Sequence, residues 1–416
     1  MNKKSLLGLI LFAGIIISGM FFTTQIIISQ SKQTDIGMKQ DRLINKDGLK
    51  QAASNQNKSI GADTGNVAAT TPTKVPSTLD ATEKQMPGLA ADTTADSLSQ
   101  EPWPSIESNN ANVVEDTLTA DKPQLILDSK QVDYQSYIPK MQYDKELKEA
   151  LTISNPDIDI DADAAVLFDA DTKQVLYYKN PVQAVFPAST LKLLTSIVAL
   201  NYCEEEEQVT IGDEITMIAS DSTRAYLKKG QKLTIRNLLE GMLLPSGNDA
   251  AYAVAAYVGR KSLKDLRASK ELAISEFIRL MNEQAKEIGV KNSCFKTPDG
   301  YDAIGQYTTA YDMGLIGIAA TQYDTIVEIA EKSASRNIFV SGEDITWKNT
   351  NKLITKYSGQ YFSPAIGLKT GTSTMAGRCL VSAARLDGKE VVCAIMDSTS
   401  AGRWEDAIAL MKYGLD

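Results

Sequence analysis

Ser189 and Lys192 stand three residues apart, directly after Pro187, where a short polar stretch turns into an apolar run. This pattern predicts the start of a helix, and residues three apart share a helix face, so the Lys192 amine can reach the Ser189 hydroxyl. A serine hydroxyl is a weak nucleophile until a base removes its proton. Because the chain contains no histidine, the base must be a lysine or a carboxylate, and Lys192 is the one built in beside Ser189.

Two further patterns follow along the chain and can complete such a site: the predicted turn Ser246-Gly247-Asn248 and the strand end Lys369-Thr370-Gly371. The Asn248 carboxamide can hold the Lys192 amine, and Lys369 is a second cation that would lower the pKa of Lys192. The glycine lets a peptide approach the strand edge and add as an extra strand. Taken singly, each pattern is explained by helix capping or by an ordinary edge-strand lysine. Their occurrence together favours a site.

The composition argues against several other classes of function. The chain has 416 residues, of which 43% are hydrophobic, which is enough for a substantial core. Its net charge of −9 argues against a nucleic-acid partner. Histidine is the commonest ligand of zinc and non-haem iron, so its absence argues against a metal site. We therefore expect neither a metal nor an organic cofactor.

Four cysteines occur, at positions 203, 294, 379 and 393. An even number of cysteines in an exported chain invites a disulfide interpretation. A two-residue hairpin turn predicted at 387–388 would place Cys379 opposite Met396 and Cys393 opposite Ser382. The two sulfurs would then point to opposite faces, because side chains alternate along a strand. We expect free, buried cysteines.

The N-terminal residues predict a membrane anchor. Residues 5–29 carry no charge and follow Lys3 and Lys4. At a helical rise of about 1.5 Å per residue this stretch can cross a hydrocarbon core of about 30 Å. The lysines place the first residues in the cytoplasm, and no cleavage site of a signal peptide is evident. Residues 1–29 are thus predicted to be an uncleaved, single-pass signal anchor in the cell membrane, with the rest of the chain outside.

Residues 30–145 change in composition. Ser, Thr, Asn, Asp, Gln and Ala dominate and aromatic residues are scarce. Such a segment cannot bury enough surface to offset its chain entropy, so we predict a disordered extracytoplasmic tether. Its part from 117 to 144, with Leu125, Ile126 and Leu127, offers apolar residues that can dock locally on the domain. The folded domain is predicted to comprise residues 146–416.

The elements predicted within 146–416 suggest how the three patterns are positioned. A strand hairpin is predicted at 165–178. The predicted helices are one starting at Ser189, Ile235–Leu244, Ala250–Val258 stopped by Gly259, Ser275–Ile288, and one opened by Thr309 and Asp312. Strands are predicted at 365–369, 380–384 and 391–396, and a closing helix at 404–411. This order favours an α/β (α+β) fold, in which an antiparallel sheet joins its first and last strands and is flanked by helices, with an inserted helical cluster.

The three patterns occur in this order in class A β-lactamases and penicillin-binding proteins. The similarity extends to the runs LLEGMLLPSGNDAAYAVA, FKTPDGYDAIGQYTTAYDMG, IGLKTGTSTMAGRCLVSAAR and GRWEDAIALMKYG. These runs resemble the D-alanyl-D-alanine carboxypeptidase branch of the low-molecular-mass penicillin-binding proteins. The resemblance covers roughly residues 150–416. It implies a β-lactamase/transpeptidase-like fold and a peptidoglycan stem-peptide substrate that ends in D-Ala-D-Ala.

The resemblance also implies roles for individual residues. Ser189 would be the nucleophile and Lys192 its base, while Ser246 would relay a proton between the leaving nitrogen and Lys192. The N–H groups of Ser189 and Thr372 would form the oxyanion hole. The candidates to bind the terminal carboxylate of the substrate are Thr370, Thr372 and Arg403.

Some features depart from this family. Its members often carry a β-rich second domain and a C-terminal anchor, whereas this sequence runs to Asp416 directly after the predicted closing helix. We expect the N-terminal anchor and tether to replace that attachment. Thr372 matches β-lactamases and transpeptidases, and the region 299–306 lacks a histidine frequently found there. Both differences leave the substrate preference open.

Two rival hypotheses remain. A β-lactamase would need a Glu-x-x-x-Asn pattern to activate a deacylating water, and the stretch from Glu276 to Asn282 differs in spacing and lies in a predicted helix. A catalytically silent wall-binding scaffold would not need Ser189 and Lys192. The preferred hypothesis is a membrane-anchored serine D-Ala-D-Ala carboxypeptidase that acts through an acyl-enzyme and is acylated by β-lactams.

Overall fold

The computed structural model describes residues 123–127 and 133–416. In chain order, its helices and strands are α1 (Lys145–Ala150), β1 (Ala164–Asp169), β2 (Val175–Lys179), α2 (Lys192–Tyr202), β3 (Gln208–Thr210), β4 (Lys232–Thr234), α3 (Ile235–Leu243), α4 (Asn248–Ser262), α5 (Lys270–Ile288), α6 (Ala310–Thr321), α7 (Asp324–Ala330), β5 (Ala334–Ile338), β6 (Asp344–Lys348), β7 (Ala365–Ser373), β8 (Gly377–Leu386), β9 (Lys389–Ser398) and α8 (Gly402–Leu415). Single 3-10 turns occur at Tyr134–Tyr137, Ala188–Leu191 and Asp213–Thr216.

A five-stranded sheet with the order β2-β1-β9-β8-β7 forms the centre. All of its strand pairs are antiparallel, and the first strand of the domain pairs with the last, Ala165 opposite Ile395. The prediction that the two ends of the domain meet in one sheet is confirmed. β7 lies at one edge of this sheet, so one of its sides is free of a neighbouring strand among the described residues.

Helices cover both faces of the sheet. Because side chains alternate along a strand, adjacent residues of β1 belong to different layers. Leu167 packs in a cluster with Trp404 of α8, whereas Val166 belongs to the larger cluster with Met313 of α6. The helices inserted between β2 and β7 complete that larger core. This arrangement confirms the predicted mixed fold with an inserted helical cluster.

The helix boundaries follow local signals at some positions and tertiary packing at others. The Thr309 side chain accepts the N–H of Asp312 and caps α6 as predicted. The prediction that Gly259 ends α4 is wrong, since this helix continues to Ser262. A Cβ on Gly259 would overlap the carbonyl group of Ala273, so this glycine serves the close packing of α4 against α5. α5 also begins earlier than predicted.

The four cysteines are free, and three of them are buried. Cys393 lies opposite Ser382, as the turn predicted. Cys379 does not oppose Met396, because a β-bulge between Arg378 and Leu380 shifts the register. The prediction that the cysteines are free is confirmed, their predicted burial is confirmed for all but Cys294, and the expected pairing of Cys379 is corrected.

Part of the predicted tether packs on the domain. Ile126 is buried, and the ring of Tyr134 lies 5.0 Å from that of Phe186, centroid to centroid. The predicted anchor, residues 1–29, lies outside the described residues. None of the described helices combines the length and the apolar character needed to cross a bilayer. The domain boundary at 145/146 stays a prediction.

The packing of α4 on α5 gives a first prediction. Replacing Gly259 with alanine forces the two helices apart, and we expect the free energy of unfolding to fall by about 3 kcal/mol. Gly289→Ala is the matched control, because its φ of +100° is unfavourable for alanine but no atom lies within 4 Å of the added carbon. That strain alone costs about 1 kcal/mol. Urea unfolding measures both, and equal losses would contradict the steric explanation.

Candidate functional site

The turn that carries Ser189 precedes helix α2. Ser189 lies in the 3-10 turn Ala188–Leu191, and the α-helix itself begins at Lys192, which corrects the expected helix start. Side chains three residues apart eclipse each other in a 3-10 turn. This geometry places Lys192 Nζ 2.8 Å from Ser189 Oγ.

Lys192 is fully buried, and its amine has three partners. Nζ lies 2.8 Å from Ser189 Oγ and from Asn248 Oδ1, and 2.9 Å from the carbonyl oxygen of Asp299. Burial lowers the pKa of Lys192 to about 8, against the opposing charges of Asp299 and Asp249. A neutral amine fits these partners well, since two N–H groups can donate to the Asn248 and Asp299 oxygens. Its lone pair is then left for the Ser189 O–H.

The turn Ser246-Gly247-Asn248 packs against the loop that contains Thr223. Thr223 Oγ1 donates to the Ser246 carbonyl oxygen (2.7 Å), and the Asn248 N–H donates to the Thr223 carbonyl oxygen (2.9 Å). Asn248 is the first residue of α4, and its side chain reaches Lys192. Ser246 is buried, but it is not among the three hydrogen-bond partners of Lys192 Nζ. Its role as a proton relay stays a prediction.

Strand β7 passes close to the Ser189 turn. A Cβ on Gly371 would lie 3.0 Å from the Ala188 Cβ and 3.2 Å from the Ser189 nitrogen, so a glycine permits this approach. Lys369 is buried, and its Nζ donates to the Thr370 carbonyl oxygen (3.0 Å). Burial, followed by the charges of Lys192 and Arg403, lowers the pKa of Lys369 far below its usual value.

The remaining sequence candidates also meet at β7. One guanidinium nitrogen of Arg403, Nη1, donates to the Gly371 carbonyl oxygen (3.1 Å) and to Thr372 Oγ1 (3.3 Å). The Arg403 guanidinium lies 4.4 Å from the centre of the Trp404 ring, and burial lowers its pKa. Thr370 Oγ1 lies 2.7 Å from Thr350 Oγ1. Every candidate site residue selected from the sequence therefore lies in or beside the region around Ser189, Lys192 and β7.

A cleft of about 810 Å³ opens at Ser189. The residues that line it include Ser189, Asn248, Tyr301, Thr372 and Arg378. A cleft of this volume holds a ligand considerably larger than two alanine residues. In 123–127 and 133–416, no group of three or more Cys, Asp or Glu side chains is placed to hold a metal ion.

The sequence analysis missed the turn at 298–300 as a part of the site. Asp299 offers its backbone oxygen to Lys192, and a Cβ on Gly300 would overlap the Ala188 carbonyl oxygen. Thr195 of α2 donates to the Pro298 carbonyl oxygen (2.5 Å) and holds the turn against the helix. The Pro-Asp-Gly sequence is a turn signal, but it does not tell which helix the turn packs on.

Comparison with known proteins agrees with this geometry. A family described as Peptidase S11, D-alanyl-D-alanine carboxypeptidase, matches residues 149–400. The chain is 34% identical over 253 residues to a D-alanyl-D-alanine carboxypeptidase of Streptomyces sp. K15, covering 58% of this chain and 83% of that protein. It is 28% identical over 244 residues to the carboxypeptidase DacF of Bacillus subtilis, covering 58% of each. The chain thus spans little more than half the length of DacF.

Solved structures show the same fold. The Streptomyces K15 DD-transpeptidase aligns with a TM-score of 0.57 at 33% identity, covering 63% of this chain and 99% of that one. A penicillin-binding protein homolog from Mycobacterium tuberculosis aligns with a TM-score of 0.54 at 28% identity, covering 63% and 94%.

The surroundings of Lys192 predict how its pKa responds to mutation. Asp299 is buried, and its negative charge raises the pKa of Lys192 against the effect of burial. Asp299→Asn removes that charge and keeps the backbone acceptor, so the pKa of Lys192 should fall below about 8, by about one pH unit. NMR titration of the lysine side chains measures the value. Asp312→Asn, at another buried carboxylate, is the control, and an unchanged Lys192 pKa in Asp299→Asn would contradict the charge assignment.

Proposed function

Since this chain belongs to the D-alanyl-D-alanine carboxypeptidase family, we propose that it removes the terminal D-alanine from peptidoglycan stem peptides. The observation that carries the proposal is the buried Lys192 amine, 2.8 Å from the Ser189 hydroxyl. A base with a pKa near ambient pH is suited to proton transfer. The Lys192 pKa of about 8 meets this requirement without a histidine.

In the first step, Ser189 Oγ attacks the carbonyl carbon of the D-Ala–D-Ala peptide bond while the Lys192 amine takes the hydroxyl proton. The tetrahedral intermediate expels the D-alanine nitrogen, which receives a proton from Lys192 through Ser246. The products are free D-alanine and an ester between Ser189 and the shortened peptide. Water then hydrolyses the ester, which regenerates Ser189 and releases the peptide as a carboxylic acid.

The free side of β7 supports the proposed binding mode. An extended peptide can add to this edge as a further strand, with the reacting carbonyl held between the N–H groups of Ser189 and Thr372. The terminal carboxylate of the substrate then lies near the Arg403 guanidinium and the Lys369 amine, with the hydroxyl groups of Thr370 and Thr372 as further donors.

β-Lactams are proposed to acylate the same serine. Attack by Ser189 opens the four-membered ring, but the leaving nitrogen stays tethered to the acyl group.

We also propose that residues 1–29 anchor the chain in the cell membrane, so that the catalytic domain acts on the wall from outside the cytoplasm.

The contacts of Glu276 weigh against the β-lactamase alternative. Its carboxylate accepts hydrogen bonds from Ser262 (2.6 Å) and Arg279 (2.6 Å), and it is not among the residues that line the cleft. Asn282 donates to the carbonyl oxygens of Ile278 and Phe295. Both side chains are thus engaged in packing α5 rather than directed at Ser189.

Substitution of the two reacting groups tests the mechanism. We expect Ser189→Ala to abolish both fluorescent-penicillin labelling and D-alanine release from diacetyl-Lys-D-Ala-D-Ala. Lys192→Ala should slow acylation by about 10³-fold, because the serine loses its base. Ser196→Ala is the matched control, since that hydroxyl bonds only the Lys192 carbonyl oxygen of its own helix. Near-normal acylation of Lys192→Ala would contradict the base assignment.

The same assays separate the alternatives. Serine-dependent labelling with D-alanine release supports the carboxypeptidase. Labelling that turns over rapidly without D-alanine release would indicate a β-lactamase. A folded wild-type protein that is never labelled would indicate a silent scaffold.

The role of Arg403 has a separate test. Arg403→Gln should slow acylation by benzylpenicillin about tenfold and leave acylation by its methyl ester almost unchanged, since only the free carboxylate pairs with the guanidinium. Arg385→Gln, at an exposed arginine paired with Glu390, is the control. Equal losses for both penicillins would show that Arg403 acts by supporting the Gly371 carbonyl rather than by binding the carboxylate.

A further inference from the structure

A short segment far upstream of Ser189 reaches the cleft. Leu125 forms an antiparallel bridge with Ala303. On either side of this pair, the Ile126 N–H donates to the Asp302 carbonyl oxygen (2.8 Å) and the Ile304 N–H donates to the Gln124 carbonyl oxygen (2.9 Å). Residues 124–126 thus form a short strand against residues 302–304.

This strand is fixed relative to β7. The Ile126 side chain is 5% exposed and belongs to the main hydrophobic core. The carboxylate of its hydrogen-bond partner Asp302 accepts from Ser373 Oγ (2.7 Å), at the end of β7, and from the Met375 N–H (3.1 Å), in the turn that follows. The backbone of residues 124–126 is therefore connected through Asp302 to the strand that carries Lys369 and Gly371.

Leu127 presents its side chain to the cleft. Side chains alternate in an extended chain, so the residue after the buried Ile126 points outward, and Leu127 is 73% exposed. Both residues line the cleft that opens at Ser189. Much of this cleft is polar, with Asp221 and Arg378 among its lining residues. Leu127 offers apolar area that a substrate can cover.

The segment lies outside the part of the chain that matches the family. That match begins at residue 149, so residues 124–127 lie upstream of the matched part of the chain. We propose that Ile126 and Leu127 form part of one wall of the substrate cleft and that Leu127 is a specificity-determining residue, which contacts an aliphatic part of the stem peptide beyond the two terminal alanines. This inference rests on the proposed carboxypeptidase function and adds a determinant of its substrate preference.

Two probes of different size test the contact. In the full-length protein, Leu127→Ser should lower kcat/KM for diacetyl-Lys-D-Ala-D-Ala about tenfold, because the aliphatic side chain of the peptide loses an apolar contact. Acylation by 6-aminopenicillanic acid, which lacks an acyl side chain, should change less than twofold. Leu266→Ser is the matched control, because Leu266 is 72% exposed but does not line the cleft. It should leave both rates unchanged.

The outcomes are distinct. A lower kcat/KM for diacetyl-Lys-D-Ala-D-Ala with unchanged acylation by 6-aminopenicillanic acid supports the contact. Equal losses with both probes, no loss with either, or faster hydrolysis of the peptide would each overturn it. D-Alanine release by the wild type upholds the proposed function whatever Leu127→Ser does. If the wild type released no D-alanine, both the proposed function and this inference would be contradicted.

A cross-link tests whether the wall is in place during turnover. Leu125 and Ala303 form a pair flanked by hydrogen bonds, and the Cα atoms of such pairs lie about 4.5 Å apart, within reach of a disulfide. Leu125→Cys combined with Ala303→Cys should therefore cross-link under oxidation and keep kcat/KM for the peptide within about twofold. Leu127→Cys combined with Ala303→Cys, two residues out of register, is the control and should not cross-link. Failure of the first pair to cross-link, or loss of activity once it is cross-linked, would overturn the fixed wall.

Discussion

The structure of the site depends on one lysine amine that is kept away from water. A buried ammonium or amine is costly unless polar groups surround it. Besides Ser189, Lys192 obtains its acceptors from Asn248 and Asp299, which lie 56 and 107 positions further along the chain. The hydrogen bonds of this single amine hold the start of α4 and the turn at 298–300 against α2. The groups of the site are brought together by the same contacts.

The charges around that amine act in opposite directions. Lys192 and Lys369 are both buried, and a positive charge on either disfavours the other. Burial and these charges lower the pKa of Lys369 strongly, while the carboxylates of Asp299 and Asp249 favour the charged form of Lys192. The result for Lys192 is a pKa of about 8. With this pKa, the neutral Lys192 amine, which acts as the base, and its protonated form, which can return the proton, are both populated near neutral pH.

Local signals accounted for a good part of the fold. The turn at 387–388 predicted the pairing of Ser382 with Cys393, and the Thr309 cap predicted the start of α6. The errors occurred where tertiary contacts override local preference, as at Gly259, which packs against α5 instead of ending α4. The hairpin β5–β6 was not predicted. It contacts the loop beside the site, where the Trp347 indole N–H donates to the Ala225 carbonyl oxygen (3.1 Å).

The sequence by itself determined which side chains can react, because a serine, lysine, asparagine or glycine at a fixed spacing is visible in the residue types and their order. Only the tertiary structure decided which oxygens accept from the Lys192 amine, how Arg403 reaches the Gly371 carbonyl oxygen, and that Ile126 and Leu127 line the cleft. The physical reason is that these contacts use backbone oxygens and surfaces from distant parts of the chain. Every residue carries a backbone oxygen, so the sequence contains no local signal for the one that a distant side chain will find.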